Sequence, residues 1–180
     1  MKIIFLDIDG VLNLISQGRD DFGSIFHQHL VDNLTTLVES TGAKIVMSSS
    51  WRFNSKKLMK MSTEEMSSYV HKPITRTQLI KDGIDYCQGM WKHRNYPGEV
   101  IDITPHIDIC KRGEEIQMWL DNHENISQYL IIDDDIDMLD SQLDNFVQTS
   151  ENWDHEDNVE GYGLTKICAE KAIEILNKNG

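Results

Sequence analysis

Apolar positions along the chain alternate between short unbroken runs and helical spacings. Ile3, Ile4, Phe5 and Leu6 form one continuous run, and Lys44-Ile-Val-Met47 and Tyr129-Leu-Ile-Ile132 carry two more. Runs of that length predict strands covered on both faces, as in the middle of a parallel sheet. Leu30, Val31, Leu34, Leu37 and Val38 recur at helical spacing, with Gly42 as a stop signal. A second helix is predicted from Lys111 to Leu120, with Glu114 and Glu115 in its first turn and Ile116, Trp119 and Leu120 on its apolar face. Residues 164–179 predict a closing helix that turns Ala169, Ala172, Ile173 and Leu176 inward and Glu170 outward. Residues 99–104 and 146–149 read as further short strands. Strand, helix, strand is the βαβ unit, so the first two strands lie parallel and deliver their ends to one edge. The expected fold class is α/β: a three-layer, Rossmann-like parallel sheet, in one domain over residues 1–180.

Two stretches break the pattern. Residues 13–26 mix Gly18, Gly23, Ser16 and Ser24 with Arg19, Asp20 and Asp21, which predicts an exposed, mobile flap. In residues 53–104, Ser62-Thr-Glu-Glu65 looks like a helix start and Met66 to Val70 like its body. Pro73, Gly83, Gly89 and Pro97 then interrupt, and Trp91, Lys92, His93, Arg94 and Tyr96 cluster aromatic and basic groups. About fifty residues are too many for a plain loop in a compact domain, so 53–104 is expected to be a small inserted cap.

Charge adds a local asymmetry. The net charge is -13, and residues 121–160 hold thirteen of the thirty acidic residues with no Lys or Arg, so the rest of the chain is balanced. Most of that block predicts a solvated acidic face. Residues 52–112 carry eleven basic residues against seven acidic ones. No apolar stretch approaches the length of a membrane span, and the chain opens on a strand rather than a signal peptide. Cys87, Cys110 and Cys168 are widely spaced and odd in number, the usage of free thiols in a reducing compartment. A cytoplasmic setting without membrane contact is expected. His27 and His29 lack a third ligand and read as helix-entry residues rather than a zinc site.

Candidate chemistry sits where the apolar runs end. Asp7 and Asp9 close the first strand, followed by Gly10. Two such carboxylates repel unless a cation lies between them or one holds a proton. Magnesium suits them, because it keeps one or two protein carboxylates and leaves its other positions to water and phosphate. Ser48-Ser-Ser-Trp-Arg52 closes the second strand with hydroxyls able to donate to phosphate oxygens, and Arg52 is a further candidate phosphate contact. Lys111 and Arg112 stand before a helix. Asp133-Asp134-Asp135 closes the third long strand; successive strand residues face opposite ways, so Asp134 and one neighbour, taken as Asp133, can face Asp7. Asp137 is expected to cap the following helix.

This order of elements, Asp7-x-Asp9, Ser48, Lys111 or Arg112, then Asp133-Asp134, resembles the haloacid dehalogenase superfamily of phosphohydrolases. In finer detail, Ser48-Ser-Ser-Trp-Arg52, Thr104-Pro105, Arg112-Gly-Glu-Glu-Ile116 and Ile131-Ile-Asp-Asp-Asp135 resemble the dehalogenase-like (HAD) domain of Swiss Army Knife RNA repair proteins. The resemblance implies a magnesium-dependent phosphomonoesterase with Asp7 as nucleophile and Asp9 as general acid and base. It also implies Mg2+ held by Asp7, the Asp9 carbonyl and Asp134, with Asp133 beside them, and phosphate held by Ser48 and one cation. Superfamily usage favours Lys111 for that cation, whereas spacing to the helix favours Arg112, which is the expected choice. The substrate class is a small phosphorylated metabolite, a nucleotide or a phosphorylated nucleic-acid end; the acidic face argues against an extended nucleic-acid groove. A non-catalytic phosphate- or RNA-end-binding module is the alternative. A receiver domain is disfavoured, since the chain offers neither a lone aspartate on its second strand nor a lysine on its last.

Overall fold

The computed structural model describes residues 1–14, 17–53, 76–107, 111–150 and 160–178. Its centre is a five-stranded parallel sheet built from β1 (Lys2–Leu6), β4 (Lys44–Met47), β5 (Val100–Ile103), β6 (Gln128–Asp133) and β7 (Phe146–Gln148), in the spatial order β5-β4-β1-β6-β7. A two-stranded antiparallel ribbon, β2 (Arg19–Asp20) and β3 (Gly23–Ser24), lies apart from it. The expected α/β parallel-sheet class is what the chain adopts.

β1 is central because both of its faces are apolar. Ile4 and Leu6 enter one core with Ile45, Met47, Leu130 and Ile132; Ile3 and Phe5 enter the other with Val46 and Ile131. The first face is covered by α1 (Gln28–Thr41), α2 (Arg76–His93) and α4 (Lys166–Asn177), the second by α3 (Arg112–Asp121) through Ile116 and Trp119. α1 ends at Gly42, whose N–H bonds the Val38 carbonyl at 2.8 Å, and Thr165 caps α4 by accepting from the Cys168 N–H. Each fully buried aliphatic side chain here contributes about 1.5–3 kcal/mol. β1 pairs β4 on one side and β6 on the other, so the carboxyl ends of β1, β4 and β6 meet at the place where strand order reverses. That is where open α/β sheets take ligands.

The predicted flap is corrected: it carries a ribbon with Phe22 and Phe26 buried in the main core. In the described part of the segment 53–104, α2 runs unbroken through Gly83 and Gly89 and packs Tyr86, Cys87, Met90 and Trp91 into the same core as α1. Gly83 does not interrupt this helix because its bare face lets the helix press on the Arg52 carbonyl, where a Cβ would collide. The predicted helix start at Ser62 and its body to Val70 lie outside the described residues, as does Cys110. Cys87 is buried, which pushes its thiol up to about 12 and makes it a core filler. No helix among the described residues is long and apolar enough to cross a membrane.

Candidate active site

The buried run of β1 leaves Asp7 in a nearly closed position, 5 % exposed, with its backbone N–H on the Ile132 carbonyl of β6. Asp133 ends β6 fully buried beside it. One carboxylate oxygen from each of Asp7, Asp133 and Asp134 lies within 4.8 Å of the others. Three carboxylate oxygens gathered this closely are the hard donor set that a divalent cation such as magnesium takes. Gly10, with φ +70°, lets the loop pass against Asp134: a Cβ there would overlap that carboxylate. The loop is fixed from behind by the Thr149 hydroxyl, which donates to the Gly10 carbonyl at 2.9 Å.

Among the described residues, one cation faces the cluster directly. Arg112, at the first turn of α3, places Nη1 3.1 Å from Asp7 Oδ1 and Nε 3.5 Å from Asp133 Oδ2, and also donates to the Ser48 carbonyl. It does not balance the carboxylates. Burial, with Asp134 and Asp9 adding repulsion and Arg112 opposing, pushes Asp7 up to about 6; burial and the neighbouring Asp7 push Asp133 up to about 8. Among the described residues, Asp133 Oδ2 has the Arg112 ion pair but no hydrogen bond, and the buried hydroxyl of Ser48 has no hydrogen-bond partner. Excess negative charge and polar atoms short of hydrogen bonds are what a ligand site looks like.

Asp9 is engaged elsewhere. Asn13 Nδ2 donates to its Oδ1 at 2.6 Å and Trp51 Nε1 to its Oδ2 at 2.9 Å, and its side chain is outside the three-carboxylate group. Two aspartates two residues apart thus meet different surroundings, one facing carboxylates and a guanidinium, the other facing neutral donors.

Residues 3–153 match the family described as the HAD domain in Swiss Army Knife RNA repair proteins. The chain belongs to that family. No curated protein and no solved structure matches it. Within this HAD domain the sequence-predicted residues separate clearly. Asp7, Arg112, Asp133 and Asp134 come together, with Ser48 at the adjoining strand end. Lys111 instead pairs with Glu114 at 2.8 Å, at the N-cap position of α3.

Arg52 departs from the phosphate contact expected of it. It is 3 % exposed, bonds the carbonyls of Ser48 and Ser49, and forms an ion pair with buried Glu115 at 2.5 Å. It braces β4 against α3. Asp137 caps a helix, as expected, but a different one: its Oδ2 accepts from the Arg112 N–H at 3.0 Å, so it holds the start of α3 and not a later element. That bond also sets the backbone from which Arg112 reaches Asp7. The sequence missed Ser49, whose hydroxyl bonds Asp7, and it missed the engagement of Trp51 with Asp9. Strand alternation at Ser48-Ser49 is the signal that one of the two must face Asp7.

Proposed function

We propose that this HAD domain is a magnesium-dependent phosphomonoester hydrolase that works through an aspartyl phosphate on Asp7. The observation that carries it is the convergence of Asp7, Asp133, Asp134 and the Arg112 guanidinium at one sheet edge, with Asp9 held separately by neutral donors. An Asp7 oxygen attacks phosphorus in line, and the ester P–O bond breaks as Asp9 gives a proton to the departing oxygen. Water then attacks the same phosphorus, Asp9 takes its proton, and the P–O bond to Asp7 breaks to release phosphate.

Arg112 draws the transferring oxygens, since a phosphate that reaches Asp7 meets this guanidinium at once. The Ser48 hydroxyl, without a hydrogen-bond partner among the described residues, supplies a neutral donor at the end of β4. Asp7, Asp134 and Asp133 would hold Mg2+, which would supply charge neutralisation for the attacking carboxylate and the transferring oxygens. The substrate is a small phosphorylated metabolite, a nucleotide or a phosphorylated nucleic-acid end; the family's place in RNA repair proteins supports the last of these.

The test is hydrolysis of an aryl phosphate with magnesium and with chelator. Wild type turns over only with magnesium, and Asp7→Asn loses at least ~10³-fold, about 4 kcal/mol of barrier. Asp7→Asn keeping a tenth of wild-type turnover would end the covalent mechanism. Tight phosphate binding without turnover in wild type would establish the binding module instead.

A further inference from the structure

Both oxygens of Asp9 are held by donors from different segments of the chain. Asn13 sits in the tight loop after β1, where its N–H bonds the Ile8 carbonyl and its own carbonyl accepts from Gly10. Trp51 lies in the short 3-10 turn Ser50–Phe53 that follows β4, with only 9 % of its surface exposed. A carboxyl gripped at 2.6 Å and 2.9 Å from two sides cannot rotate without losing one bond. An indole N–H only donates, so Trp51 cannot itself move a proton for the reaction. What it controls is direction.

We infer that Trp51 is a positioning residue: together with Asn13 it aims Asp9 at the oxygen that leaves the phosphorus. The inference rests on the hydrolase reading given above. The Trp51 ring is set in turn by the edge of Phe26, with centroids 5.3 Å apart and planes at 73°. Phe26 stacks on Tyr96 at 5.1 Å, and Arg94 lies 5.0 Å over the Phe26 ring while gripping Asp20 of the β2–β3 ribbon. Three rings therefore link the packing of that ribbon to the orientation of the proton donor.

A misaimed general acid harms substrates according to how much their leaving oxygen needs a proton. Nitrophenolate departs with little help, whereas an alkoxide does not. The experiment compares kcat/KM, which reports formation of the aspartyl phosphate, for p-nitrophenyl phosphate and glycerol phosphate in wild type and Trp51→Phe. The variant keeps an aromatic ring and removes the N–H. Expected is a loss of about 10- to 100-fold on glycerol phosphate, carried by kcat rather than KM, and less than ~3-fold on p-nitrophenyl phosphate. Asn13→Ala should show the same leaving-group dependence, and it decides the matter if Trp51→Phe does not fold. Equal losses on both substrates, or no loss, overturn the inference.

A second readout does not need turnover. The Trp51 indole N–H resonance, assigned by its absence in Trp51→Phe, should move in Asp9→Ala. If wild type hydrolyses neither substrate, the hydrolase reading fails, and an indole resonance that ignores Asp9→Ala overturns the positioning role as well.

Discussion

Two arginine–aspartate contacts in this chain have opposite electrostatic outcomes. At the ribbon, Arg94 meets Asp20 one to one, with Nη2 and Nε 2.7 and 2.8 Å from its two oxygens and a further bond to the Gly23 carbonyl. The Arg94 hydrogen bonds hold Asp20 below the usual carboxylate range. At the strand ends, Arg112 faces Asp7 and Asp133 with Asp134 close by, and burial lifts both of its partners far above that range. The residue types are the same and the count differs. A matched pair locks two elements together; a surplus of carboxylates around one guanidinium stores repulsion that another cation relieves.

Arg52 offers the sharpest break of that comparison, because its pairing with Glu115 is matched and also buried, each side chain 3 % exposed. Glu115 additionally accepts from the Ile107 N–H at 2.9 Å. Glu115→Ala strands a buried guanidinium, and equilibrium unfolding should show a loss of ~3–5 kcal/mol. A loss below ~1 kcal/mol would mean that water reaches Arg52. Next in size are Arg112 and Arg94. Arg112→Ala should cost turnover ~10²–10³-fold, as expected for a group that stabilises transferring oxygens. Arg94→Ala should instead lower stability by ~1.5–3 kcal/mol, the worth of hydrogen bonds between charged groups. If Arg94→Ala lost more turnover than Arg112→Ala, the assignment of lock and site would be reversed.

This contrast was only half visible in the sequence. The runs at β1, β4 and β6 and the carboxylates that end them follow from local pattern, since a strand buried on both faces must be apolar and whatever follows it emerges at the sheet edge. α1 and α4 are legible for the same reason: Ile173 packs against the core as predicted, and Ile175, which was not predicted, is buried more deeply beside it. Partnership between distant residues leaves no such trace. The cluster of Trp91, Arg94 and Tyr96 gave no sign of its partners: Arg94 holds Asp20, Trp91 Nε1 donates to the Pro97 carbonyl at 2.7 Å, and Tyr96 packs on Phe26. Gly83 looked like a helix break because only the tertiary neighbour, the Arg52 carbonyl, explains it. Between Lys111 and Arg112 the choice depended on which one the first turn of α3 aims at Asp7.

Effects of a few kcal/mol or less test the surplus itself. Magnesium at about 100-fold above its Kd should stabilise the chain by ~2.7 kcal/mol, and Asp134→Ala should abolish the accompanying rise in Tm. The pH dependence then distinguishes the two regions by sign. Asp133 and Asp7 keep protons in the folded state at pH values where the unfolded chain, with ordinary carboxylates, has lost them. Their stabilising share is complete below about pH 4 and disappears as pH rises through about 6 to 8, so the metal-free protein should lose at least ~1 kcal/mol between pH 5 and pH 8. Asp20 behaves oppositely: its share is present above the ordinary carboxylate range and fades only as pH falls through its lowered value. Chemical denaturation in chelator across this range is the measurement, with Asp133→Asn flattening the upper part and Arg94→Ala the acid end. Magnesium binding near neutral pH should also expel a proton from the buried Asp7–Asp133 pair, whose carboxyls are raised by burial and mutual repulsion, and calorimetry in buffers of different ionisation enthalpy reads this directly. A stability that rises from pH 5 to pH 8 without metal would show that Arg112 already satisfies the carboxylates and that the surplus does not exist.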